Sequence, residues 1–264
     1  MEIDLGFVQA QRLIIPQDRQ VTLVLVGCGG TGSWLAPALV RIVKMANERQ
    51  GQARLLFCDP DCVEEKNTWR QNFCHAEIGQ NKADALATRY SAAWGVTIGI
   101  LPRAIQDGSW GWGNHIFVGC VDNNEGRRAI DRLVRNGRSS WWLDCGNTQS
   151  YGQVLLGGGE EMRNPLPGYV SRLPLPSDQH PELTLTPNPS PSDGEGNLSC
   201  ADMVLQDSQG LSINQRMAAE AADYLVRMLI TGDLRRYATY IDLESGTVRS
   251  KYIEKAQEAL KGNG

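Results

Sequence analysis

"VTLVLVGCGGTGSWLAPALVRIV", residues 21–43, carries a run of apolar and β-branched residues into G-x-G-G-x-G and then into a helical stretch. Nothing charged interrupts Val21 to Val26, which predicts a strand buried on both faces. Ser33 to about Met45 predicts the helix that follows, with Pro37 near enough to its start to be tolerated. Between them, glycines allow close backbone approach and the helix N-terminus turns its free N–H groups toward an anion. Gly27, Gly29, Gly30 and Gly32 are therefore candidate phosphate contacts. Such a loop suits a dinucleotide and a triphosphate equally well.

Outward from this loop, strand and helix alternate. Ala53–Cys58 predicts a strand ending on Asp59, Lys82–Trp94 a helix and Val96–Leu101 a strand. Ile116–Val121 predicts another strand, ending on Asp122, and Arg127–Asn136 a helix stopped by Gly137. Trp141–Cys145 and Gln153–Leu156 predict two more strands. This order argues an α/β fold with a doubly wound, Rossmann-like, mostly parallel sheet. Ser212–Thr231 predicts a long helix ended by Gly232, and Tyr237–Leu243 with Thr247–Ile253 a C-terminal antiparallel hairpin. Residues 1–20 read as an N-terminal arm, a short helix closed by Pro16. Residues 160–199 read as one long loop, rich in Pro, Ser, Asn and Gly, of a length that is usually functional or mobile. The 264 residues are expected to form a single domain over 1–264.

Composition sets the class. The chain is 41% hydrophobic and 21% charged, with net charge −4, pI near 5.5 and mean hydropathy −0.33. An acidic balance argues against a nucleic-acid partner. No stretch approaches eighteen apolar residues and no signal segment opens the chain, so a cytoplasmic location without a membrane partner is expected. The seven cysteines (28, 58, 62, 74, 120, 145 and 200) form no C-x-x-C pair, so no zinc is expected. His75, His115 and His180 are isolated in sequence and read as structural or surface residues. Trp141 and Trp142 read as core; the Trp110–Trp112 segment is a candidate surface contact.

Which phosphate the loop holds is decided by "CDPDCVEEKNTWRQNF", residues 58–73. Asp59 is placed to accept hydrogen bonds from ribose hydroxyls, which fits NAD and ATP alike. Asn67, Arg70 and Gln71 follow within a few residues, and Lys82 opens the next helix. A triphosphate needs that added positive charge, Arg as a bidentate donor and Lys as a point charge. A dinucleotide has little use for it.

The pattern D-x-D-x-V-x-x-x-N-x-x-R-Q resembles the signature of the ThiF/MoeB/HesA superfamily, the adenylating relatives of ubiquitin-activating enzymes. GCGGTG matches its nucleotide loop, "IGQNKAD" its lysine segment and "GCVDNNEGR" its C-x-D-N-x-x-x-R. The resemblance implies ATP-dependent adenylation of the C-terminal glycine carboxylate of a small ubiquitin-like (β-grasp) protein ending in Gly-Gly. It makes Arg70 and Lys82 the charges on the phosphates, Asp122 the Mg²⁺-linked carboxylate, and Asn123 and Arg127 further nucleotide-site residues. It also implies a homodimer in which an arginine of the N-terminal arm, Arg12 or failing that Arg19, enters the neighbouring site. Residues 160–199 become the crossover loop, with Cys200 at the position where relatives carry an acyl-accepting cysteine. The missing zinc pairs and the "SCAD…INQRMAAEAADYL" stretch most resemble a short stand-alone branch, that of the PRTRC plasmid system. Two other readings stay open: an NAD(P)-dependent oxidoreductase, and a catalytically inactive nucleotide-binding scaffold.

Overall fold

The computed structural model describes residues 5–15, 20–49, 51–106, 110, 114–137, 139–162, 166–185 and 210–254. Its centre is a parallel block of β2 (Val21–Val26), β3 (Ala53–Cys58), β4 (Ile98–Leu101), β5 (Asn114–Gly119) and β6 (Trp141–Asn147). Across the sheet the order is β4, β3, β2, β5, β6, continued by β7 (Tyr151–Gly159) and the hairpin β10 (Arg236–Asp242) and β11 (Thr247–Tyr252). β7 turns back antiparallel on β6, and β10 pairs with β7 through Ala238 opposite Leu155. The fold is thus the α/β, Rossmann-like, mostly parallel sheet that the alternation predicts, with an antiparallel end.

Helices cover both faces because successive residues of each buried strand point to opposite sides. Leu23 and Leu25 enter a core with Leu35 and Leu39 of α2 (Gly30–Glu48) and Leu86 of α3 (Lys82–Trp94). Leu225 and Met217 of the long helix Leu211–Val226 join it. Val24 and Val26 enter the opposite core with Ile130 and Leu133 of α4 (Asn124–Asn136). Trp141 and Trp142 divide in the same way, both buried, as the sequence predicts.

Several boundaries differ from the sequence reading. α2 starts at Gly30, inside the glycine loop, three residues before the first residue that favours a helix. It continues past Pro37, which has no N–H for the Ser33 carbonyl; that oxygen accepts from Asn72 Nδ2 at 3.2 Å instead. Residues 160–185 are also not one loop. β8 (Tyr169–Val170) pairs in parallel with β1 (Arg12–Leu13) of the arm, and β9 (Arg172–Leu173) pairs with β7. A short helix, α5 (Pro176–Gln179), and a 3₁₀ turn at Pro181–Leu183 then pack over the sheet. The helix Leu211–Val226 (α6) passes into a π-helical turn that ends at Gly232 in the left-handed region. Trp110 packs edge to face on Phe117 with centroids 5.3 Å apart, so it belongs to the core rim and not to an open contact surface. Cys200, Trp112 and Arg19 lie outside the described residues.

Candidate nucleotide and carboxylate site

The strand order reverses between β2 and β5, and the chain leaves their C-terminal ends in opposite directions, which opens a crevice. Gly27 lies there with φ +89°; a Cβ on it would meet the Cys120 carbonyl oxygen at 2.7 Å. A Cβ on Gly32 would collide with the Gly27 carbonyl. Only glycine at both positions lets β2, β5 and α2 meet so closely. Gly29, the N-cap of α2, offers no side-chain cap, so the first N–H groups of the helix remain directed at the crevice. A cleft of about 760 Å³ opens over this loop, lined by Gly29, Asp59, Asn67, Arg70, Gln71 and Lys82 among others.

Asp59 is held from two sides. Cys28 N–H donates to Oδ2 at 2.5 Å and Asp61 N–H to Oδ1 at 2.8 Å. Burial raises its pKa above the usual carboxylate range, opposed by those two amides and by Lys82. Lys82 is the first residue of α3, whose N-cap Asn81 accepts from Ala83 and Asp84 N–H. Asn81 Nδ2 also donates to the carbonyls of Asp59 and Asp61, so one side chain registers the strand end against the helix start. The Lys82 ammonium lies 3.0 Å from Asp61 Oδ2. Asp61 and Asn81 were not singled out from sequence; an Asn directly before a helix start was the available signal for Asn81.

The segment carrying Arg70 and Gln71 is strapped to α2. Trp34 Nε1 donates to the Arg70 carbonyl at 3.0 Å, and Ser33 Oγ accepts from Asn72 N–H at 2.9 Å. Asn67 is buried with its Oδ1 on the Glu64 N–H, so it shapes the turn as well as lining the cleft. Gln71 is buried with Oε1 unpartnered at the cleft, an acceptor for a hydroxyl or amine of a bound nucleotide. Asp122 is exposed at the end of β5, and its Oδ1 takes a bond from Asn123 Nδ2. Asn123 Oδ1 caps α4 through Gly126 N–H, a structural duty that the sequence reading did not assign.

Arg127 departs from its expected place. Its Nε donates to Asp144 Oδ1 at 3.1 Å, and the residue lines a second cavity of about 840 Å³ instead of the nucleotide cleft. Burial raises the Asp144 pKa, and Arg127 opposes the rise. Cys120, Val121 and Asp122 line both cavities and form the threshold between them. Thr31 of the glycine loop reaches Asn147 Oδ1 at 3.1 Å, and Asn147 Nδ2 reaches Asn214 Oδ1 of α6 at 3.1 Å. This polar chain ties the loop to the wall of the second cavity. Arg12 lines another cavity and not the cleft of its own chain, with Nη1 3.5 Å from Tyr169 Oη.

Among the described residues no three His, Cys, Asp or Glu side chains converge as metal ligands. Mg²⁺ asks for less: one or two carboxylates completed by phosphate oxygens and water. Asp122, an exposed carboxylate beside the phosphate loop, fits that donor set. No helix is long and apolar enough to cross a membrane among the described residues.

The ThiF family model matches residues 16–161. Ubiquitin-like modifier-activating enzyme 5 of Oryza sativa subsp. japonica is 29% identical over 146 residues, covering 48% of this chain and 32% of its own length. The chain therefore spans about a third of that relative. Among solved structures, E. coli MccB with SeMet MccA superposes with a TM-score of 0.58 at 14% identity, over 98% of this chain and 69% of that one. E. coli MccB with ATP gives 0.55 at 14%, over 96% and 68%. PaaA gives 0.57 at 17%, over 89% and 65%. At these identities the likeness is one of fold.

Proposed function

The chain belongs to the ThiF family, and from that premise we propose that it uses ATP to adenylate the C-terminal carboxylate of a small protein or peptide. The observation that carries this reading is the shared threshold: the cleft over the glycine loop and a separate cavity meet at Cys120–Asp122. A nucleotide over the glycine loop and a carboxylate in the second cavity would confront each other there. The carboxylate oxygen attacks the α-phosphorus, the bond to the β-phosphate oxygen breaks, and pyrophosphate leaves with the electron pair. A carboxylate is already ionised at neutral pH, so no general base is needed.

In this reading Lys82 exchanges Asp61 for phosphate oxygens, and Arg70 stands beside them on its strapped segment. Asp59 and Gln71 offer acceptors to the nucleoside. Asp122 would hold Mg²⁺, which supplies charge neutralisation on the phosphates. Arg127, with Nε fixed by Asp144, orients the incoming carboxylate instead of the nucleotide. The ubiquitin-like modifier-activating relative and the MccA named with MccB support a small protein or peptide as substrate. We favour a Gly-Gly-ending ubiquitin-like protein. A homodimer that carries Arg12 into the neighbouring cleft belongs to the same proposal.

The test is ³²P exchange between pyrophosphate and ATP with Mg²⁺, against Gly-Gly-ending β-grasp proteins from the same genome. Exchange that depends on one protein's terminal glycine and vanishes in Asp122→Ala is expected. ATP binding without exchange would turn the assignment to a nucleotide-binding scaffold, and preferential NAD binding would overturn it. Continuation to an acyl-enzyme is read separately: Cys200→Ala should spare exchange and remove a hydroxylamine-labile adduct.

A further inference from the structure

A chain of titratable side chains meets the second cavity at Tyr240. Tyr240, on β10, lines that cavity. Its hydroxyl lies 2.7 Å from His180 Nε2, and His180 Nδ1 lies 2.9 Å from Glu182 Oε1. The two rings meet edge to face with centroids 5.8 Å apart, and Lys251 Nζ stands 5.5 Å from the Tyr240 ring centre. β10 and the segment after α5 thus meet around one imidazole, far apart in sequence.

The direction of the protons follows from the chemistry of the three groups. A carboxylate only accepts, so the neutral imidazole carries its proton on Nδ1 toward Glu182. Glu182 is held below the usual glutamate range by its own backbone N–H and by His180, and so is the ionised acceptor this needs. Nε2 is then bare and must accept, and the Tyr240 hydroxyl is its donor. What remains of that oxygen for the cavity is lone pairs. We propose, resting on the reading that this cavity takes the substrate's tail, that Tyr240 is the acceptor for a backbone N–H of that tail. His180 and Glu182 are positioning residues that fix its polarity. The other charged groups around the imidazole are Asp144 of β6 with its partner Arg127, Lys251 of β11, and Arg128 of α4 on the carbonyls of Thr184 and Leu185.

Two measurements test this. The chain has three histidines, so imidazole ¹H–¹⁵N spectra of wild type and His180→Gln assign His180 directly. An Nδ1–H tautomer at neutral pH, lost in Glu182→Leu, is expected; an Nε2–H tautomer overturns the relay. The second uses a short synthetic peptide ending in Gly-Gly and the same peptide with its last amide replaced by an ester, in pyrophosphate exchange. Wild type should show a KM about tenfold higher for the ester, and Tyr240→Phe should accept both alike with KM for ATP unchanged. Additive effects of the ester and of Tyr240→Phe overturn the proposed contact. No exchange with either peptide or with any β-grasp protein sinks the adenylation reading and the tail contact with it, while the spectra, which need no substrate, still decide the relay.

Discussion

Lys82 sits 3.0 Å from Asp61, so its charge is parked on a neighbour that lines the same cleft as the glycine loop. If it turns to the phosphates in the reaction, Lys82→Ala should lower exchange roughly a hundred- to a thousandfold, whereas Asp61→Asn, which frees the ammonium, should leave ATP affinity equal or better. Titration with a fluorescent ATP analogue alongside exchange separates the two. Asp59 gives a pH prediction. Its carboxyl is raised by burial, so the folded state holds the proton more tightly than the unfolded chain. The associated stability is present below the ordinary carboxylate value and is lost as pH rises through the raised folded value. Asp59→Asn should therefore flatten the acid-side pH dependence of the denaturant midpoint, and an unchanged slope would contradict it. The Arg127–Asp144 pair gives a third. Asp144→Ala should destabilise by about 3–5 kcal/mol by stranding a buried guanidinium, while Arg127→Met with Asp144→Leu should recover most of it. The double variant would still lose exchange if Arg127 orients the carboxylate.

At the scale of elements, the nucleotide loop is a place where three backbones nearly touch. Gly32→Ala puts a methyl group into the Gly27 carbonyl at the first turn of α2, so the loop must open and the phosphate cradle with it. Loss of ATP binding together with a lowered melting temperature is expected; calorimetry reads both. The parts of this region legible in sequence were those with local causes. Val21–Val26 had to be a buried strand, and the glycines after it had to be a tight turn. The start of α2 at Gly30 was not legible, because glycine has poor helix propensity and the close approach of Gly32 to the Gly27 carbonyl is a tertiary feature. The strap of residues 70–72 onto Trp34 and Ser33 was equally hidden, since a hydrogen bond across 36 positions leaves no spacing signal. Residues 160–185 read as loop because strands of two residues, β8 and β9, have no detectable period.

At the scale of the whole molecule, the arm lines a cavity other than the cleft. Arg12 is held by β1 on β8, with Nη1 on Tyr169 Oη, and does not line the cleft of its own chain. If a dimer brings it to the neighbour, mixing Arg12→Ala with Lys82→Ala should restore exchange that neither variant shows alone; a mixture as inactive as its parts would place Arg12 outside the mechanism. ATP at about a hundred times its Kd should stabilise the chain by about 2.7 kcal/mol, with no matching effect from NAD. The sequence by itself determined the doubly wound sheet, the glycine loop and the residues gathered at the cleft, Asp59, Asn67, Arg70, Gln71 and Lys82, because each follows from a local pattern at a strand end or helix start. Only the tertiary structure decided that Arg127 faces a second cavity, that Asn123 caps α4, and that His180 joins Tyr240 to Glu182. Those assignments depend on which side of the sheet a side chain leaves and on what distant segment meets it there, and neither is written in the spacing of residues along the chain.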